Sequence, residues 1–250
     1  MYINNTLTLP SFLTMFLTIY TQAHFIVFRN WSPKLRPEAA SCLISLAHGT
    51  PAVFLATQAI ISASPNEQQT FASRNTPFQN TVLEYSIAYF VTDLLHLLAY
   101  SPKDFLFISH HLATLFVFIS CRFFVLHGAY PVLCLLIIAE VTSLFQNLWT
   151  LANARRDDSK VACKVFELIC VPFYVFYSVV RGLVAPVFVY KMIVFYSSGV
   201  ADDVVPKRVW VSWMFVVVSA ISVSILWISN NWVVLYRERM GKIEKEKKIK

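Results

Sequence analysis

Seven long apolar windows fix what this chain can fold into. They run from Pro10 to Phe28, Ser41 to Ala63, Thr81 to Tyr100, Phe105 to Leu126, Tyr130 to Leu151, Val161 to Tyr196 and Val209 to Tyr236. Roughly 20 mostly apolar residues suffice to cross a bilayer as a helix. The windows are continuous and lack the alternation of barrel strands, so they predict helices. Composition agrees, since 57% of residues are hydrophobic and 14% charged, whereas a soluble globule carries about a quarter charged residues. The chain is therefore an all-α integral membrane protein. Its net charge of +7 does not indicate nucleic-acid binding. Lys and Arg gather at the edges of apolar windows and in the final stretch from Arg237, without a basic stripe.

The breaks between windows carry turn formers: Trp31-Ser-Pro-Lys-Leu-Arg-Pro37, Ser64-Pro65-Asn66, Ser101-Pro102-Lys103, His127-Gly128 and Arg155 to Ser159. The sixth window is too long for one simple crossing, because its 36 residues would extend roughly 54 Å as a helix. It projects from the bilayer, kinks at Pro172 or Pro186, or crosses twice. Charge decides for one crossing. With seven crossings, the loops after the first, third and fifth windows and the C-terminal tail hold 15 of the 21 basic residues, against Arg74, Lys207 and Arg208 in the opposite loops. That asymmetry predicts a luminal N-terminus and a cytosolic C-terminus. The first window is read as a retained span and not a signal peptide, because no basic region precedes it and Arg29 follows it. Asn4-Asn-Thr6 is a glycosylation sequon on the predicted luminal side, close to the membrane; Asn30-Trp-Ser32 falls on the cytosolic side.

Five cysteines, with no CxxC pair, predict neither a disulfide framework nor a zinc site. They read as small packing residues, with Cys163 a palmitoylation candidate beside the basic loop. No metal site is expected. The ionisable residues at bilayer depth are more informative, because each costs several kcal/mol unless it faces a protein interior. Tyr89, Asp93, His96 and Tyr100 form one helical stripe on the third span. On the fourth, His110 and Thr114 share a face, with His111 about 100° round. Glu140, Ser143, Leu144 and Asn147 share a face of the fifth. Tyr174, Tyr177, Ser178 and Arg181 do so on the sixth, with Glu167 two turns further back. These stripes predict a polar lumen in which Arg181 pairs with Asp93 or Glu140, or meets a ligand's charge. Trp210, Trp213, Trp227 and Trp232 bracket the seventh span, where indole rings suit the interfaces.

The ordered set Thr92-Asp-Leu-Leu-His96, Ser109-His-His-Leu-Ala-Thr114, Ala139-Glu-Val-Thr-Ser-Leu-Phe-Gln-Asn147 and Val180-Arg181 resembles the TLC-domain family of endoplasmic-reticulum membrane proteins. The resemblance implies six of the seven transmembrane helices forming a TLC-type barrel around a central cavity. It implies an N-terminal helix and loop over 1–40, a TLC domain over 41–236 and a Lys-rich cytosolic tail over 237–250. In the family's ceramide synthases the paired histidines face a cavity that receives acyl-CoA and a long-chain base. Synthases carry a DxxD-type pair on the following helix, whereas here Glu140 and Ser143 take those positions. That departure makes the chain look more like the non-synthase members, linked to lipid homeostasis.

The resemblance thus implies a lipid-binding intramembrane cavity with His110 and His111 as its catalytic candidates and Asp93, His96, Glu140, Asn147 and Arg181 as its lining. Membrane lipids are the expected partners, and no resident cofactor is expected. The alternatives are an acyl-CoA-dependent N-acyltransferase, with acyl-CoA and a long-chain base as co-substrates, and a trafficking or translocation scaffold. Histidine suits the transferase chemistry because it serves as base or nucleophile near neutral pH. Lys247 and Lys248 in the terminal Lys-Lys-Ile-Lys resemble a dilysine retrieval signal that coat proteins recognise, an address rather than an anchor.

Overall fold

The computed structural model describes residues 8–63 and 69–249; the side chains of 238 and 242–249 are outside the description. The Asn4 sequon and the Ser64-Pro65-Asn66 break also lie outside the described residues. Nine α-helices among the described residues are α1 (Thr8–Gln22), α2 (Arg36–Ile61), α3 (Pro77–Tyr100), α4 (Phe105–Ile119), α5 (Ala129–Glu140), α6 (Ser143–Ala154), α7 (Lys160–Val179), α8 (Ala185–Ser197) and α9 (Lys207–Ile249). π-helical turns at Ala23–Val27, Ser120–Val125 and Val180–Val184 extend α1 and α4 and join α7 to α8. Six of the helical runs are long and apolar enough to cross a membrane, beginning with Arg36–Ile61 and ending with the α9 run. The expected first span is a helix that lies against α3 and α2, but it is not among those six.

Local chemistry sets the helix ends. α3 begins at Pro77, before the apolar window that predicts it, because Thr76 and Gln79 form a reciprocal capping box and Pro77 occupies the first turn. α2 likewise starts early, with Pro37 and Glu38 in its first turn. The sixth window is one helical run over Lys160–Ser197. Helix α7 passes through Pro172 without ending, and the irregularity sits at Val180–Val184, just before Pro186. Pro186 lacks an N–H, so a slipped ladder is expected at that point. The fifth window is continuous in sequence but broken in structure, as α5 stops at Glu140 and α6 starts at Ser143.

Helix α3 packs between α2 and α4, α4 touches α9, and α9 lies against α7 and α8. Helix α7 packs on α6, and α6 and α5 pack on α2. One end of this assembly is closed by a knot of hydrogen bonds. Asn75 donates to the Cys121 carbonyl at 3.0 Å and accepts from the Ala129 N–H at 2.8 Å. The indole of Trp213 donates to Ser120 at 2.8 Å. Gly128 has φ +85°, and a Cβ there would lie 3.0 Å from the Trp213 ring, so the turn requires glycine for conformation and for space. Trp213 is thus a buried plug, 1% exposed, and not the interfacial anchor the sequence predicts. Trp232, by contrast, is exposed on the surface and donates to Ser178 at 3.0 Å.

A cavity at the break in the fifth span

A cavity of about 860 Å³ lies among α2, α3, α4, α5, α6 and α9, and it is lined by Asp93, His96, His110, His111, Glu140, Asn147 and Arg181. All the intramembrane site candidates named from the sequence therefore share one space. Its closed half is apolar, with Val117, Phe118, Val132, Leu136, Val216 and Val217. Its other half runs past Ser41, Gln146 and Thr150 to Lys34, Ser101 and Asp104 in the connecting loops.

The central contact joins α3 and α4. His111 Nε2 lies 2.9 Å from Asp93 Oδ2, and Ser41 from α2 donates to Asp93 Oδ1 at 2.6 Å. His111 Nδ1 faces the Phe107 carbonyl at 2.9 Å. A carbonyl only accepts, so Nδ1 carries a hydrogen, and one further proton is held between Nε2 and the carboxyl group. The ring is fixed at both nitrogens. His110 is its opposite: it is exposed to the cavity, packs edge-on against His111 with centroids 5.7 Å apart, and makes no protein hydrogen bond among the described residues. One imidazole is thus held and the adjacent one is available. An available imidazole beside a carboxylate-bonded one can take a proton or attack a carbonyl carbon.

The break between α5 and α6 places the second group. Ser143 donates to Glu140 Oε2 at 2.6 Å, and Asn147 donates to Ser45 at 2.9 Å. Gly49 of α2 makes this approach possible, because a Cβ there would sit 2.8 Å from Glu140 Oε2 and 2.9 Å from Ser143 Cβ. Leu144, expected on the same face, is 40% exposed and points away.

Two expectations are corrected. Arg181 forms no ion pair with Asp93 or Glu140; it donates to the Ala139 carbonyl at 2.7 Å. The reason is local, since α5 ends there and its last carbonyls lack intrahelical partners. The remainder of the expected stripe on the sixth span also faces elsewhere: Tyr174 and Tyr177 pack with Phe173, Trp149 and Trp227. His96 lines the cavity, yet its Nδ1 is tied to the Tyr20 hydroxyl of α1 at 2.9 Å.

Three further ionisable residues, unmarked by the sequence motifs, pack inside the helical assembly. His48 is fully buried, bonds Ser86 at 3.1 Å, stacks on Tyr89 with centroids 4.1 Å apart, and holds Nδ1 3.9 Å from Glu140 Oε1. Buried Glu84 pairs with half-buried Arg122, whose Nε lies 2.7 Å from Oε1, and Thr8 also bonds Glu84. The signal for them was present, because an ionisable residue inside an apolar window calls for a partner wherever it occurs.

A polytopic helical protein with a half-polar, half-apolar cavity at membrane depth is the class this geometry defines. The TLC-domain model matches residues 38–232, and the chain belongs to the TLC-domain family. It is 58% identical over 245 residues, covering 97% of this chain and 95% of the relative, to the TLC domain-containing protein At5g14285 of Arabidopsis thaliana. That relative is described by its domain and not as a synthase, in keeping with the departure at Ser143. No solved structure matches the chain.

Proposed function

We propose that the protein holds a membrane-derived amphiphile in this cavity and acts in membrane lipid homeostasis in the endoplasmic reticulum. The observation that carries this reading is the division of the cavity into an apolar closed half and a polar half. A pocket of this size, largely apolar with a few convergent polar groups, suits a ligand of mixed character. The neighbour order of the helices supports a six-helix barrel with α1 beside it as a seventh crossing. The basic asymmetry supports a luminal N-terminus and a cytosolic tail whose Lys247 and Lys248 would be read by coat proteins. Comparing the lipidomes of cells that have and lack the protein tests the reading: one lipid class should shift and return on re-expression. An unchanged lipidome would remove it. A C-terminal tag protected from protease in intact microsomes would remove the orientation.

A second reading, N-acyl transfer, is favoured by one observation, the available His110 beside the fixed His111. His110 would take the proton of an attacking amine as the new C–N bond forms on a thioester carbonyl. It would return that proton to the departing thiolate. His110→Ala separates the two readings, because transfer predicts complete loss of the lipid shift and simple binding predicts partial loss.

A further inference from the structure

The cavity contains a cation, Arg181, that no carboxylate among the described residues touches directly. Asp93 is engaged by Ser41 and His111. Glu140 accepts from Ser143 and turns its other oxygen toward His48 on α2. Arg181 has the Ala139 carbonyl and the Tyr177 ring, 5.5 Å from its guanidinium carbon. Its Nε is enclosed without any acceptor, and no carboxylate oxygen among the described residues comes within 4.0 Å of it. A guanidinium has five N–H donors and stays charged in proteins. At membrane depth such a charge is costly unless something pairs with it.

Its depth points to the pairing group. Arg181 meets the chain at Ala139, where the cavity changes character. Toward the closed end the α5 wall is Leu136 and Val132, which lies roughly 10 Å away along the helix axis. Toward the other end the wall becomes Gln146, Asn147 and Thr150. An amphiphile with its chain in the apolar half would therefore bring its headgroup to Arg181. We propose that Arg181 receives a single oxyanion, carboxylate or phosphate, carried at the head of an acyl chain that fills the closed half. Guanidinium suits this role because its planar fork matches both groups and charge-assisted contacts of this kind are strong. The inference rests on the cavity holding an amphiphile and adds the charge of its headgroup.

The test uses the full-length protein, purified in neutral detergent, and equilibrium binding of three probes with one chain: oleate, 1-oleoyl-lysophosphatidate and uncharged oleamide. The wild-type protein should bind at least one of the two anions ten times more tightly than oleamide; whichever anion is preferred identifies a carboxylate or a phosphate source. Arg181→Gln, which retains a donor for Ala139, should weaken the preferred anion at least tenfold and change oleamide less than twofold. Arg181→Lys should retain part of the preference. Equal binding of anions and oleamide by the wild type would overturn the inference without any variant and leave the cavity reading intact. Binding of none of the three would overturn both.

Discussion

The α3–α4 hairpin carries two pairs of acid and base, each with a buried carboxylate, and they differ in partner and in surroundings. Glu84 meets Arg122 near the closed end, where Thr8 also bonds the carboxylate, and neither residue lines the cavity. Asp93 meets His111 at cavity depth, and both line the open space. Arg never loses its proton under working conditions, so the first pair is a fixed clamp between two helices. Histidine exchanges its proton near neutral pH, so the second pair can take part in chemistry. Acid–base pairing is thus turned to two ends, the clamp holding the frame in which the second pair is presented.

The contrast is broken most forcefully at the clamp. Arg122→Met leaves Glu84 buried and unpaired, and should cost about 3–5 kcal/mol, read as a fall in thermal stability of the purified protein. The double substitution Glu84→Gln with Arg122→Met should recover most of that loss. A single-variant cost below about 1 kcal/mol would deny the clamp its structural role.

Asp93→Ala strikes the other pair. It should cost about 3 kcal/mol by stranding His111 and should also abolish the lipid shift, which Arg122→Met followed by a stabilising rescue should not. Loss of stability with an intact lipid shift would make the two pairs alike. A smaller effect is expected at Gly49→Ala, where the added Cβ meets Glu140 and Ser143 and overpacking should cost about 1–3 kcal/mol. If the variant matches the wild type in unfolding temperature, α2 is not held tightly against the break between α5 and α6.

The smallest stability effect belongs to His110, which has no hydrogen bond to lose. His110→Ala should change stability by less than about 0.5 kcal/mol while impairing the lipid shift. A large drop in melting temperature would show that His110 is a structural residue and remove it from the candidate site.

Much of this is legible in the sequence, and the hairpin shows why the rest is not. Hydropathy marks spans because the bilayer imposes a length, and the cost of burying charge marks Asp93, His110, His111 and Glu140. Pairing was readable too, through the tight turn at Pro102-Lys103. Asp93 and His111 each stand nine residues from Pro102, and Glu84 and Arg122 each stand nineteen from Lys103, so an antiparallel hairpin brings each pair to one depth. The clamp is therefore readable from the spacing of its two residues about the turn. The break after Glu140 is hidden from the sequence, because neither Pro nor Gly stands between Glu140 and Asn147 to mark it. With the break hidden, the Ala139 carbonyl at the end of α5 is hidden as a partner for Arg181, and the sequence offers only a carboxylate or a ligand's charge.

Light-driven crosslinking of a diazirine-bearing fatty acyl probe in microsomes, followed by peptide mapping on α9, tests the occupied cavity most directly. Val217 and Ile221 face the cavity side of this helix, whereas Phe215 and Leu226 are 74% and 70% exposed on its outer side. An occupied cavity predicts labelling at Val217 and Ile221 that unlabelled amphiphile competes away, above uncompeted labelling at Phe215 and Leu226. Labelling confined to the outer positions would mean that the acyl chain stays in the bilayer, and the account of a lipid-holding cavity would be wrong.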